Sequence, residues 1–289
     1  MNFALFRCCP TSIFLKQYES STDAVLRKLG VKFKDIKEFN CCGYPLKNID
    51  AMAYLLAGAR NLALAEKNNA HILTFCNCCF NSLKHVRQTL KESPVLQKEI
   101  NSTLAKEGLI YQASVKIKHL FEMLFYDIGL EKIMDSTVKR FSNLKIATHY
   151  GCHILRPKEV VRFDNPMTPS IFDQLVELTG AKSVVWQTKL DCCGSPLMGV
   201  NDELSLDLTW KKIADALQSG ADYLCCACVY CQIQFDRVQK ILLNRRSDIQ
   251  ALPSILYTQL LGLSLGIDGR SLGIDLNELN ITAIENHLT

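Results

Sequence analysis

The chain has 289 residues, 48% of them hydrophobic and 21% charged, enough for two buried cores of about 140 residues each. Its net charge of +4 is small and its basic residues are scattered, which weighs against a nucleic-acid partner. No apolar run reaches the ~20 residues that cross a bilayer, and Met1 to Cys8 lacks a charged segment followed by an apolar core. A cytoplasmic location without membrane insertion is therefore expected. There thiols stay reduced, so the 14 cysteines point to metal binding or redox chemistry rather than a disulfide framework.

In chain order, Asn2 to Arg7 reads as a strand that delivers Cys8 and Cys9. A helix is predicted from Lys16 to Leu29, with Gly30 as its stop. Val31 to Ile36 alternates like a strand and leads to Cys41-Cys42-Gly43. Asp50 to Asn68 reads as a helix and His71 to Phe75 as a third strand, ending at Cys76-Asn77-Cys78-Cys79. Residues 83–107 look helical, Val115 to His119 extended, and Phe121 to Ile128 helical. The second half repeats the scheme: strand Lys145 to His149 before Cys152, helix Ile171 to Thr179, strand Ser183 to Trp186 before Cys192-Cys193-Gly194, helix Asp202 to Gln218, then strand Asp222 to Cys226 before Cys228 and Cys231. Ile255 to Ile267 reads as a buried helix.

This alternation predicts an α/β fold of two pseudo-repeated open-sheet modules, with the cysteine loops at the carboxyl ends of the strands and the modules facing each other across a cleft. The expected domains are residues 1–140 with their helical connection, residues 141–267, and a tail at 268–289.

The cysteines carry the chemistry. In the first half 31 residues separate Cys9 from Cys41 and 33 separate Cys42 from Cys76, with Cys79 completing C-x2-C; in the second half the gaps are 39 and 34, closing at Cys228 and Cys231. Each half thus offers five thiols in the order single, vicinal pair, C-x2-C. A structural zinc ion takes four ligands in a tetrahedron, and adjacent side chains diverge from a single small ion. An iron-sulfur cluster has several irons and accepts both members of a pair, so the ligand rules favour the cluster over zinc. Gly43 and Gly194 supply backbone angles closed to other residues, and Pro45 and Pro196 stiffen the turn that follows.

The two CCG motifs, Thr148-His149-Tyr150-Gly151-Cys152-His153, and Cys228-Val229-Tyr230-Cys231-Gln232 make the chain similar to the duplicated cysteine-rich CCG family that includes the B subunit of heterodisulfide reductase. The resemblance spans residue 1 to about 267. It implies two noncubane [4Fe-4S] clusters, one held by Cys9, Cys41, Cys42, Cys76 and Cys79 and the other by Cys152, Cys192, Cys193, Cys228 and Cys231. It also implies an oxidoreductase that cleaves the coenzyme M–coenzyme B heterodisulfide, or a related disulfide, between them. The implied partners are a ferredoxin-like iron-sulfur subunit, which passes electrons on, and a flavin-containing subunit that supplies them. Methanogen relatives tend to carry glycine before the first cysteine and proline after the first vicinal pair, where this chain has Cys8 and Gly43. Cys8, Cys78, Cys225 and Cys226 are surplus to the pattern.

His153, beside Cys152, is the candidate catalytic residue, a proton donor to a leaving thiolate. Lys47, Arg156 and Lys158 lie near cysteine loops and are candidates for holding an acidic substrate. Two alternatives stand beside the disulfide reductase: the iron-sulfur subunit of another CCG-domain oxidoreductase, such as a lactate, glycolate or glycerol-phosphate dehydrogenase, and a non-catalytic electron carrier or zinc-stabilised assembly subunit.

Overall fold

Strand β1, Phe3–Phe6, is buried along its whole length, as a central strand of a parallel sheet must be. It pairs with β2 (Phe33–Lys34) on one side and β3 (His71–Thr74) on the other, and β3 pairs with β4 (Ile117–His119). The second sheet repeats this order. Its strands are β5 (Lys145–His149), β6 (Lys182–Ser183), β7 (Tyr223–Cys226) and β8 (Ser254–Leu256), arranged β6-β5-β7-β8. All six pairings are parallel. The computed structural model describes residues 2–246 and 248–289, and in these the α/β class, the open sheets and the duplication are all present.

The elements largely follow the sequence, and three of the differences bear on the sheets or the cysteine loops. β2 and β6 are only two residues long, shorter than the alternating stretches suggest, because each is an edge strand with one neighbour to hold it. The helix after Cys76 begins at Asn77, not near residue 83, so Cys78 and Cys79 lie in its first turn. The apolar run from Ile255 is not one helix: β8 takes its first residues and the helix is confined to Tyr257–Ser264. The break is made by Gln259, whose Oε1 accepts from the Leu256 amide at 3.2 Å, satisfying a donor at the helix start.

The chain forms two compact units that do not follow chain order. Unit 1 comprises the residues through Cys9, Lys32–Met123 and His153–Pro166, and holds the first sheet. Unit 2 comprises Pro10–Val31, Leu124–Cys152 and Met167–Thr289, and holds the second. The helix Lys16–Lys28, which joins β1 to β2 in sequence, packs in unit 2, where Ser21 Oγ lies 2.6 Å from Thr258 Oγ1 and the Tyr18 hydroxyl donates to Ala227 O at 3.4 Å. The C-terminal residues also pack in unit 2. Ile274, Ile281 and Ile284 are buried, Thr289 exchanges backbone bonds with Arg140 at 2.9 and 3.1 Å, and Asp236 accepts from the Glu278 and Leu279 amides at 3.0 and 2.9 Å. Among the described residues no helix is long and apolar enough to cross a membrane.

Candidate metal centres

In each unit, three strands end at one edge of the sheet and release a cysteine loop there. In unit 1, β1 is followed by Cys8 and Cys9, β2 by Cys41 and Cys42, and β3 by Cys76. Parallel pairing of the three strands brings these sequence-distant loops together without any long connection. Unit 2 does the same with Cys152, Cys192 and Cys193, and Cys228 after β5, β6 and β7.

The glycine of each CCG motif is required by the backbone. Gly43 has φ +84° and Gly194 φ +90°, left-handed values that an L side chain adopts only at a cost. A Cβ at Gly194 would lie 2.7 Å from the Ser205 carbonyl, and one at Gly43 3.0 Å from that of Tyr54. Each glycine is followed by a single 3-10 turn with proline at its start, Tyr44–Leu46 and Ser195–Leu197. The helix behind each loop anchors it. In unit 2, Ser205 Oγ donates to Gly194 O at 3.0 Å and Thr209 Oγ1 to Cys193 O at 3.2 Å. In unit 1, Asn61 Nδ2 donates to Asn40 O at 3.1 Å and Cys41 O at 3.2 Å.

The sulfurs of unit 1 form a continuous network. Cys9 Sγ is 3.7 Å from Cys41 Sγ. Cys42 hydrogen-bonds with Cys41 and Cys79, and the Sγ atoms of Cys8, Cys76 and Cys79 lie within 4.8 Å of one another. All five cysteines of the first expected set are gathered here, with Cys8 added. In unit 2, Cys152 contacts Cys192, which contacts Cys193; Cys193 contacts Cys231, and Cys231 contacts Cys228. The second expected set is likewise gathered. No disulfide links any described cysteine.

The proton balance of these networks is uneven. Hydrogen bonds from Cys42 and Cys9, with the Gly43 amide, pull the Cys41 thiol down to about 3. Those from Cys152 and Cys193, with the Gly194 amide, pull Cys192 down to about 2; that amide donates to Cys192 Sγ at 3.4 Å. The neighbours are driven the other way. Cys42 and Cys152 are raised chiefly by the ionising partner beside them, and Cys193 is raised to about 12 by Cys192. So many thiols so close together cannot all ionise against one another and against burial. A cationic metal group would remove that repulsion and hold them all as thiolates. Helix starts add favourable field: Cys76 stands at the N-cap of the sixteen-residue helix Asn77–Glu92 and Cys228 at that of Val229–Ile233, beside the positive end of each helix dipole. The donor sets therefore fit soft-ligand metal clusters.

The two centres differ in their other neighbours. His149, at the end of β5, is fully buried, and one of its ring nitrogens lies within 4.8 Å of the Cys193 and Cys231 sulfurs. Burial pushes its pKa well below the usual histidine value, which favours the neutral imidazole, the form that ligates metals. In the sequence His149 and His153 flank Cys152 and the candidate proton-donor role falls to His153; that the His149 side chain turns toward the sulfurs depends on strand register, which spacing does not reveal. Lys212 is also buried beside this centre. Its Nζ donates to Thr188 O and lies 4.6 Å from the Trp186 ring, and burial lowers its pKa to about 8 against the opposing pull of Asp191, Cys193 and Cys231. Its counterpart eleven residues after the other helix cap is the neutral Asn61.

His153 itself belongs to unit 1. Its Nδ1 lies 3.8 Å from Cys78 Sγ and its ring stands edge-on to Tyr44 at 5.0 Å, while Asn81 Nδ2 donates to its carbonyl at 2.9 Å. Cys78 thus pairs with the histidine, and within its unit its sulfur also lies within 4.8 Å of Cys76. Cys225 and Cys226 are wholly buried on β7 and their thiols are pushed up by burial, so they pack as small apolar groups. Lys47, Arg156 and Lys158 are exposed in unit 1.

These geometries agree with the comparisons to known proteins. A cysteine-rich domain family, CCG, matches residues 3–84 and 146–236, two blocks that contain every cysteine of both expected sets. The B subunit of the ferredoxin/F420H2-dependent CoB-CoM heterodisulfide reductase of Methanosarcina acetivorans is 34% identical over 280 residues, 96% of this chain and 93% of that protein. The chain belongs to the family of heterodisulfide reductase B subunits. The B subunit of the ferredoxin:CoB-CoM heterodisulfide reductase of Methanosarcina mazei is also 34% identical, over 90% of this chain and 87% of that protein. The family sequence is shared more widely: the 8-methylmenaquinol:fumarate reductase membrane anchor subunit of Wolinella succinogenes is 32% identical over 98% of both chains. Among solved structures, a hypothetical protein from Helicobacter pylori superposes with a TM-score of 0.81 at 20% identity, which shows the fold. The match covers 97% of this chain and spans about half the length of that one, 52%.

Proposed function

We propose that this member of the family of heterodisulfide reductase B subunits is the disulfide-cleaving subunit of a multisubunit complex, with the coenzyme M–coenzyme B heterodisulfide as its favoured substrate. The observation that carries the reading is the gathering of five family-matched thiols at the carboxyl edge of each sheet. We assign Cys9, Cys41, Cys42, Cys76 and Cys79 to one noncubane [4Fe-4S] cluster and Cys152, Cys192, Cys193, Cys228 and Cys231 to the other. The repeats are taken as residues 1–140 and 141–267. The proposed partners are a ferredoxin-like iron-sulfur subunit and a flavin-containing subunit, and the proposed location is the cytoplasm.

Cleavage of a disulfide consumes two electrons and two protons and yields two thiols. When bound, the clusters would supply the electrons singly and iron sites for the separating sulfurs. The second proton comes from solvent, and the chain's own residues donate the first, bind and orient. His153, held against Cys78 and Tyr44, is the proposed donor of one proton to a leaving thiolate. Exposed Lys47, Arg156 and Lys158 offer charge to an acidic substrate. The amides of Gly43 and Gly194 hold their thiolates in place for the metal.

The second reading is an iron-sulfur subunit of a different oxidoreductase, favoured by the 32% identity to the fumarate reductase anchor subunit. The separating experiment is reduction of the heterodisulfide by the anaerobically purified chain with a one-electron donor. Turnover of the heterodisulfide above other disulfides is expected. Full iron loading without disulfide turnover would favour the second reading.

A further inference from the structure

Of the surplus cysteines, Cys8 enters a thiol network most fully. It is 3% exposed, whereas its neighbour Cys9 is exposed. Its Sγ lies within 4.8 Å of both Cys76 and Cys79, and it hydrogen-bonds with Cys9 as well. Cys9 meets the network at its rim, through Cys41 at 3.7 Å and through Cys8 itself. The second repeat has nothing comparable: the residue before Cys152 is Gly151.

The backbone explains how the extra sulfur enters. Gly151 has φ +74°, a left-handed conformation, while Cys8 is absent from the non-glycine residues with positive φ among those described. The loop after β1 therefore takes a different path from the loop after β5. That path lets an L side chain occupy the position and turns it inward beneath Cys9.

We propose that Cys8 is a metal ligand of the first centre, so that the first site offers six thiolates and the second five. This rests on the cluster reading given above and deepens it. A sixth thiolate adds negative charge and electron donation to the first centre only. The two centres, already unlike in having Lys212 and His149 beside only the second, then differ in their ligands too.

The test compares Cys8→Ala, Cys8→Ser and Cys9→Ala with the wild-type chain, all purified without oxygen. Iron and acid-labile sulfide per chain are measured, together with electron paramagnetic resonance spectra and far-ultraviolet circular dichroism. Cys8→Ala is expected to lose about half of the iron, the share of one centre in two, and at least as much as Cys9→Ala, with the signal of the second centre retained. That retained signal shows that the chain has folded. Cys8→Ser, which can still offer an oxygen, is expected to keep more iron than Cys8→Ala. Full iron with an unaltered spectrum in Cys8→Ala would overturn the proposal while leaving the cluster reading intact. An iron-free wild-type chain would instead overturn the cluster reading itself.

Discussion

Gly194 and Gly30 both have positive φ, +90° and +72°, but only Gly194 has backbone where a Cβ would go. Alanine at Gly30 meets nothing within 4 Å and should cost about 1 kcal/mol, the conformational penalty alone. Gly194→Ala adds a clash with the Ser205 carbonyl, and its expected cost is about 2 kcal/mol or more. Urea denaturation of the two variants checks this; equal losses would mean that the CCG turn has room the geometry does not show. At this scale the sequence is legible wherever chemistry demands a residue type at a fixed place. Thiols that must meet sit on loops after parallel strands, so their spacing survives in the chain. Cys8 is ambiguous in the sequence because adjacency to Cys9 says nothing about which sulfur points inward. His149 is visible there only as a neighbour of Cys152 and Lys212 not at all, because tertiary packing alone brings them to the Cys193 and Cys231 sulfurs.

Among elements, the strands and helices around the cysteine loops are readable from periodicity, and β8 is not. Its residues open an apolar run that continues into the helix Tyr257–Ser264, and no glycine or proline marks the junction; a side-chain cap from Gln259 does so instead. The C-terminal segment is tied to the rest of unit 2 by an element contact that also carries a pH dependence. Asp236 is buried and its carboxyl is raised from 3.8 to about 6, burial outweighing the amides of Glu278 and Leu279. Ionising it costs stability, so the contribution of this group is full below its unfolded value and is lost as pH rises through about 6. Asp236→Asn cannot ionise, although it leaves one of the two amides without an acceptor. Relative to wild type, the variant should therefore gain stability on the order of 2–3 kcal/mol between pH 4 and pH 7. Urea denaturation of the metal-free chain at the two pH values measures the difference. A gap that does not change with pH would show that Asp236 titrates normally.

For the whole molecule, the duplication visible in the cysteine spacing becomes two sheets of the same strand order, each with its own thiol network. The exchange of segments between the compact units is not visible in the sequence, because the contacts that place Lys16–Lys28 with Thr258 and Ala227 join residues more than two hundred positions apart. Every role proposed for the cysteine loops depends on both networks binding iron and sulfide. The most direct test is metal and acid-labile sulfide analysis of the chain purified without oxygen. A brown protein with iron and sulfide in amounts that fill both sites and with little zinc is expected. A colourless protein carrying zinc at both sites and little iron would contradict it.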